Sequence, residues 1–407
     1  MRIQAGLTAI YWHVQNKVNA HNNCRQCDNT GDHNSLEPMP AKHRFFRCFL
    51  CFFTFAHDFA SPWVVGRRDL TRSHYNVEIA VHDSGKVFPW LIGTVCFFVT
   101  KDLSMSAQFL SRWGVIGVDG DDAVTFLQSQ LSNDVAGMAE SQLRMAGLCT
   151  AKGRLLGSFF VLRQGKQVFL VCRKETIAAL VKRLSMFVLR SKCKVRDCTA
   201  DYQLAFLPGS GLSSPMRVQW DEQGNATASL RVLNGTTPGF QLVASKVQAE
   251  QEVQEVNGDD NFEFALQQLG IAYVSQPTVE MFIPQAINFD LVGGVSFSKG
   301  CYPGQEIVAR SHYLGKVKRR VFQATATGSV TVTAGQDVWL AGKENEPAGA
   351  VATAVNFNGQ QYLLVELPVD DAEQSGATFT VKNDAGAIAL NVQPPPYDVH
   401  QKGSVFE

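Results

Sequence analysis

The stretch Val295-Ser296-Phe297-Ser298-Lys299-Gly300-Cys301-Tyr302-Pro303-Gly304-Gln305-Glu306-Ile307-Val308-Ala309-Arg310 is the densest in chemistry of the 407-residue chain. A strand runs into a loop punctuated by Gly300, Pro303 and Gly304. Ile307, Val308 and Leu314 then follow at helical spacing. Pro303 suits a first helical turn, so the pattern predicts a short helix from about Pro303 to near Gly315. Cys301 would stand by the positive end of that helix with Lys299 as a neighbouring cation, and both effects favour a thiolate over a thiol. The plainer alternative is a buried, inert cysteine beside two glycines that serve a tight turn. Gln305 and Glu306 fit either helix caps or ligand contacts.

Upstream of this stretch, residues 113–118 read as a strand, and Asp121-Asp122 as caps of a helix carrying Ala123, Val124, Leu127 and Leu131 on one face. Three strands follow at 144–150, 154–162 and 167–172, the first two joined through the turn Ala151-Lys152-Gly153. Ile177, Leu180, Val181, Leu184, Phe187 and Val188 recur as one face of an amphipathic helix. Strands alternate with polar turns over 201–256, and Asp259-Asp260 opens a helix with Phe262, Ala265, Leu266 and Leu269 inward. Downstream, short alternating runs at 330–332, 338–340, 362–365, 378–381 and 387–390 predict a small antiparallel β-barrel. The class is therefore α+β. Its expected organisation is a body over 105–314, two subdomains dividing near 200–260, a barrel over 315–398 and a tail over 399–407.

Composition separates this body from what precedes it. Lys+Arg and Asp+Glu are 37 each, so total charge calls for no long polyanionic partner. That neutrality is an average: residues 1–104 carry 11 basic and 8 acidic side chains, five of the ten cysteines and seven of the nine histidines. They sustain no helical or strand period and read as an extension, unstructured or upstream of a natural start at Met105. Within them Cys24-x-x-Cys27 and Cys48-x-x-Cys51 have the spacing of a four-thiolate zinc site, although Phe49-Leu50 and Phe52-Phe53 supply no knuckle-forming turn. The most apolar run, 87–99, contains Pro89 and Gly93 and is shorter than the roughly 20 residues a spanning helix needs, so no membrane segment is expected. Cys149, Cys172, Cys193 and Cys198 lack CxxC spacing and read as structural, as in a reducing compartment.

The run Lys299-Gly-Cys-Tyr-Pro-Gly-Gln-Glu306, preceded by Phe282-Ile-Pro-Gln-Ala286 and Gly293-Gly294, resembles the YgfZ family of folate-binding proteins associated with tRNA modification. The resemblance covers about Met105 to the C-terminus. It implies an aminomethyltransferase-like multidomain fold around a tetrahydrofolate cavity, a C-terminal barrel and a cytoplasmic location. It implies Cys301 as the working thiol, with Lys299 beside it, in a role tied to iron–sulfur enzymes, including radical enzymes that modify tRNA.

Trp113 matches a folate-associated tryptophan of the family, and Phe262 stands where a second would be. Tyr302, Gln305, Glu306 and Arg310 complete the candidate cofactor contacts. Where aminomethyltransferases place an essential aspartate, this chain has Gly157 or Ser158, neither able to act as a carboxylate. Aminomethyl or methyl transfer is thereby disfavoured, and an accessory role without turnover is expected. The run Lys316-Val-Lys318-Arg319-Arg320 is the strongest basic cluster; it suits a folate tail or RNA phosphates, but it holds no interleaved aromatic that would stack a base.

Overall fold

The computed structural model describes two strands before residue 107, at 63–67 and 78–82, and then residues 107–209, 216–230, 240–246, 257–313, 316–326, 331–343, 345–383 and 386–406. The chain divides into two compact units, Met1–Asp102 and Leu103–Glu407. In the first, β1 (Trp63–Arg67) and β2 (Glu78–His82) pair antiparallel. The cysteines of the candidate zinc site and the apolar run 87–99 lie outside the described residues.

The second unit opens with β3 (Gln108–Phe109), β4 (Trp113–Asp119) and helix α1 (Ala123–Gln130), followed by the meander β5 (Arg144–Cys149), β6 (Leu155–Gln164) and β7 (Gln167–Arg173). Helix α2 (Ile177–Val188) and β8 (Lys194–Asp197) complete an antiparallel sheet of order β5-β6-β7-β4-β8. Successive residues of a strand face opposite ways, and here both faces are covered. Ile116, Val118, Val161 and Leu170 face one core with Leu127 of α1 and Ile177, Leu180 and Leu184 of α2. Their neighbours Trp113, Val115, Phe160, Leu162 and Val171 face a second core, shared with a second sheet and with α3 (Asp259–Gln268). That sheet has the order β10-β11-β12-β9-β3, from β9 (Tyr202–Pro208), β10 (Arg217–Trp220), β11 (Ala226–Leu230) and β12 (Phe240–Lys246). Asp121 and Asp122 do not cap α1 through their side chains: Asp122 accepts the Lys192 N–H at 2.7 Å, and Asp121 pairs with Lys166 at 2.6 Å.

After helix α4 (Gln305–Tyr313) comes a closed six-stranded antiparallel barrel of β13 (Arg319–Ala326), β14 (Asp337–Leu340), β15 (Gly349–Phe357), β16 (Gln360–Pro368), β17 (Phe379–Asn383) and β18 (Gly386–Gln393). β13 closes it by pairing with both β16 and β18. Two strands, β13 and β15, were not among the expected runs, and Val332, expected in a strand, instead fills the barrel core from a loop. The segment beyond the barrel is tied back: the Val405 N–H donates to the Leu291 carbonyl at 2.7 Å, and Phe406 is buried.

Candidate functional site

The loop around Cys301 is held by side chains at both ends. On one side Lys299 is buried and its ammonium donates to the carbonyls of Gln128 and, at 2.7 Å, Leu131. Those carbonyls belong to the last turn of α1, where acceptors lack intrahelical partners and the helix dipole favours a cation. Burial lowers the Lys299 pKa to about 8, against the opposing pull of Asp134 and Cys301. Tyr302, on the other side, is buried beneath the ammonium, 5.0 Å from Lys299 Nζ to ring centroid, and burial raises its phenol. Between these anchors Cys301 is an exposed free thiol.

Gly304 explains why α4 starts at Gln305 rather than at Pro303. Its φ of +80° is left-handed, which interrupts a right-handed helix and favours glycine. A Cβ there would collide with the Thr150 carbonyl and lie 2.7 Å from Gly153 Cα. The motif loop is therefore docked on the Ala151-Lys152-Gly153 turn between β5 and β6. From below, the buried Gln285 amide donates to the Val308 carbonyl at 2.6 Å and fixes α4.

A cavity of about 860 Å³ lies beside these elements. The docked turn contributes Arg154 to its wall and α4 contributes Arg310 and Ser311. Met281, Phe282, Ile283, Ala286 and Ala350 supply apolar surface, while Arg154, Arg310, Lys316, Lys318 and Arg319 set five cations against the one lining carboxylate, Glu366. Arg319 pairs with Glu366, Lys316 with Asp370 at 3.1 Å, and Arg310 with exposed Glu306 at 3.4 Å. An apolar wall with a cationic edge fits a planar ring carrying an anionic tail. The basic run does not act as a unit, because Arg320 points inward to a buried two-point pair with Asp290, at 2.5 and 3.1 Å.

Of the candidate cofactor contacts, only Arg310 lines this cavity. Trp113 is 2% exposed and Phe262 0%; they pack edge to face at 5.0 Å, and Tyr273 meets Trp113 at 5.1 Å. Their faces are covered by protein, so neither offers a platform to a ligand in this conformation. Tyr302 and Lys299 are spent on the loop, and Gln305 and Glu306 do not line the cavity. Sequence reasoning missed Arg154 and the apolar wall around Phe282, although 282–286 is the stretch that accompanies the motif.

Ser158 is buried, and its hydroxyl oxygen accepts the Val274 N–H at 2.9 Å. A Cβ on Gly157 would press on Leu180 at 2.8 Å. Both positions serve packing, and neither carries a base. Burial pushes the Cys149 and Cys172 thiols up to about 12, which keeps them protonated and inert. Among the described residues no group of three or more His, Cys, Asp or Glu is arranged to hold a metal, and no helix is long and apolar enough to cross a membrane.

Two packed sheets, a closing barrel and a cavity between them define the class: an aminomethyltransferase-like fold. The glycine cleavage system aminomethyltransferase T of Bartonella henselae matches it with a TM-score of 0.54 over 73% of this chain and 87% of that one, at 17% identity. In sequence the chain is similar to the tRNA-modifying protein YgfZ of Yersinia pestis (strain Pestoides F), 28% identical over 274 residues that cover 64% of this chain and 83% of that protein. The YgfZ protein of Yersinia enterocolitica is 26% identical over the same shares. No family model matches. The similarity to the YgfZ family read from Lys299–Glu306 stands on these relatives.

Proposed function

We propose that the protein is a folate-binding accessory factor of tRNA modification that supports iron–sulfur enzymes, with Cys301 as its working thiol. The observation that carries this reading is the construction of the Cys301 loop. An exposed thiol sits between a buried lysine and a buried tyrosine, on a loop seated against the turn that supplies Arg154 to the cavity. A side chain kept only for packing has no need of exposure or of such anchoring.

Tetrahydrofolate suits the cavity on its own chemistry. Phe282, Ile283 and Ala286 would face the ring, and Arg154, Lys318 and Arg310 would hold the glutamate carboxylates. Its one-carbon chemistry would belong to the bound cofactor, while the chain's residues bind, orient and present the thiol. The relatives' name, tRNA-modifying protein, supports partners within the tRNA-modification machinery, and a cytoplasmic site of action belongs to the same reading. The test is complementation of a deletion strain with Cys301→Ala and Cys301→Ser. Loss of tRNA methylthiolation and of iron–sulfur enzyme activity is expected from both, and full restoration by Cys301→Ala would sink the assignment.

A further inference from the structure

A second cleft, of about 980 Å³, is walled by the loop before Lys299 and the end of α4 on one side and by residues 399–404 on the other. Three aromatic rings meet on it, Phe297 from the loop and His312 and Tyr313 from the last turn of α4. Phe297 stacks on His312 with centroids 3.7 Å apart and planes at 16°, and Tyr313 stands edge-on to both, at 6.1 Å from Phe297 and 4.8 Å from His312. Tyr313 is 66% exposed, although a large ring buried in protein would contribute more to stability.

The charges of the cleft are arranged with equal asymmetry. Its two carboxylates are already satisfied: Asp290 by Arg320, and Asp134 by Arg144 at 3.5 Å and by the Gln128 amide at 3.0 Å. Lys316 reaches out to exposed Asp370, and exposed Lys402 makes no ion pair with any described residue. Burial lowers the His312 pKa, and Lys402 and Arg320 act in the same direction against Asp290, so the imidazole stays in the stack as a neutral ring. The cleft thus presents an open aromatic platform beside uncompensated positive charge.

We propose that this cleft binds a nucleotide, its base stacked on Tyr313 and its phosphate held by Lys402. The chemistry is shared by a free nucleoside monophosphate and by one nucleotide of single-stranded RNA. Stacking serves every base, and a lysine meets phosphate as a point charge. The site uses neither Cys301 nor the folate cavity's apolar wall, so it stands or falls independently of the function proposed above.

Fluorescence anisotropy of the full chain with a labelled single-stranded RNA of about ten nucleotides, and separately with labelled adenosine monophosphate, tests it. Tyr313→Ala should weaken binding by roughly five- to 100-fold, the range of one lost stacking contact, while Tyr313→Trp restores it. Lys402→Glu should weaken binding and reduce the salt slope by about one. Binding of the oligonucleotide without competition by the monophosphate assigns the site to RNA, and displacement by the monophosphate assigns it to the free nucleotide. If neither probe binds, or if binding is indifferent to both substitutions in variants with unchanged circular dichroism, the proposal is overturned.

Discussion

A methyl group at Gly304 meets two penalties at once, the left-handed backbone and the Thr150 carbonyl. Gly304→Ala should therefore cost about 1–3 kcal/mol from the backbone conformation alone, with the collision added. Denaturant unfolding measures that cost, and a change within 0.5 kcal/mol, roughly that of a neutral surface substitution, would show that the loop is not seated as described. Trp113 poses the opposite case. Its indole N–H is buried without an acceptor, so Trp113→Phe removes an unsatisfied donor as well as volume. The expected cost is about 1 kcal/mol or less, against about 3–5 kcal/mol for Trp113→Ala. Unchanged tetrahydrofolate affinity in Trp113→Phe, measured by calorimetry, would agree with a core role; a large loss would restore the ring to the ligand. The thiols separate too. At pH 8 a thiol of pKa about 12 is ionised in about one molecule in ten thousand, so peptide mapping after brief alkylation should find Cys301 modified well before Cys149 or Cys172.

Among the elements, β13 shows what the sequence hides. Arg319 and Arg320 open it, and read linearly they extend a solvated basic run. In three dimensions the strand period sends Arg319 to Glu366 and Arg320 to Asp290. Asp290→Asn would leave a guanidinium buried without its counter-charge, at an expected cost of about 3–5 kcal/mol. The double replacement Arg320→Met with Asp290→Leu should recover much of that loss, because an apolar pair of similar volume needs no compensation. Chemical denaturation of the two variants tests this, and a double variant no better than Asp290→Asn would mean that the loss does not come from the uncompensated guanidinium.

The same distinction governs what could be read in advance. Helices α1 and α3 and the meander were legible because their burial follows the local period, and Phe262, Leu266 and Leu269 are fully buried; in α2 Ile177, Leu180 and Leu184 follow it, but Phe187, expected on the same face, is exposed. The motif loop was legible from its Gly, Pro and Cys spacing. Its anchoring was not, since Lys299 reaches Leu131 across 168 positions and Gly304 meets Thr150 through tertiary docking. Trp113 looked like a ligand platform for the same reason that it is core: a large ring at a strand's first residue suits either, and only the facing Phe262 and Tyr273 decide.

At the scale of the whole molecule, the division between Asp102 and Leu103 falls two residues before Met105. All three apolar cores of the described residues are built from Leu110 onward. β3, the first described strand of the second unit, lies downstream of Met105. A chain beginning at Met105 should unfold at the same midpoint as the full chain and retain the near-ultraviolet circular dichroism of a packed aromatic core. It should also complement as well as the full chain, because Cys301, Lys299, Gly304 and the cavity walls all lie within it. A lowered midpoint in the shorter chain would assign a structural part to residues 1–104. A folded Met105 chain that fails to complement would instead assign them a role in function, and the paired cysteines at 24, 27, 48 and 51 would then be the first to replace, with bound zinc measured alongside.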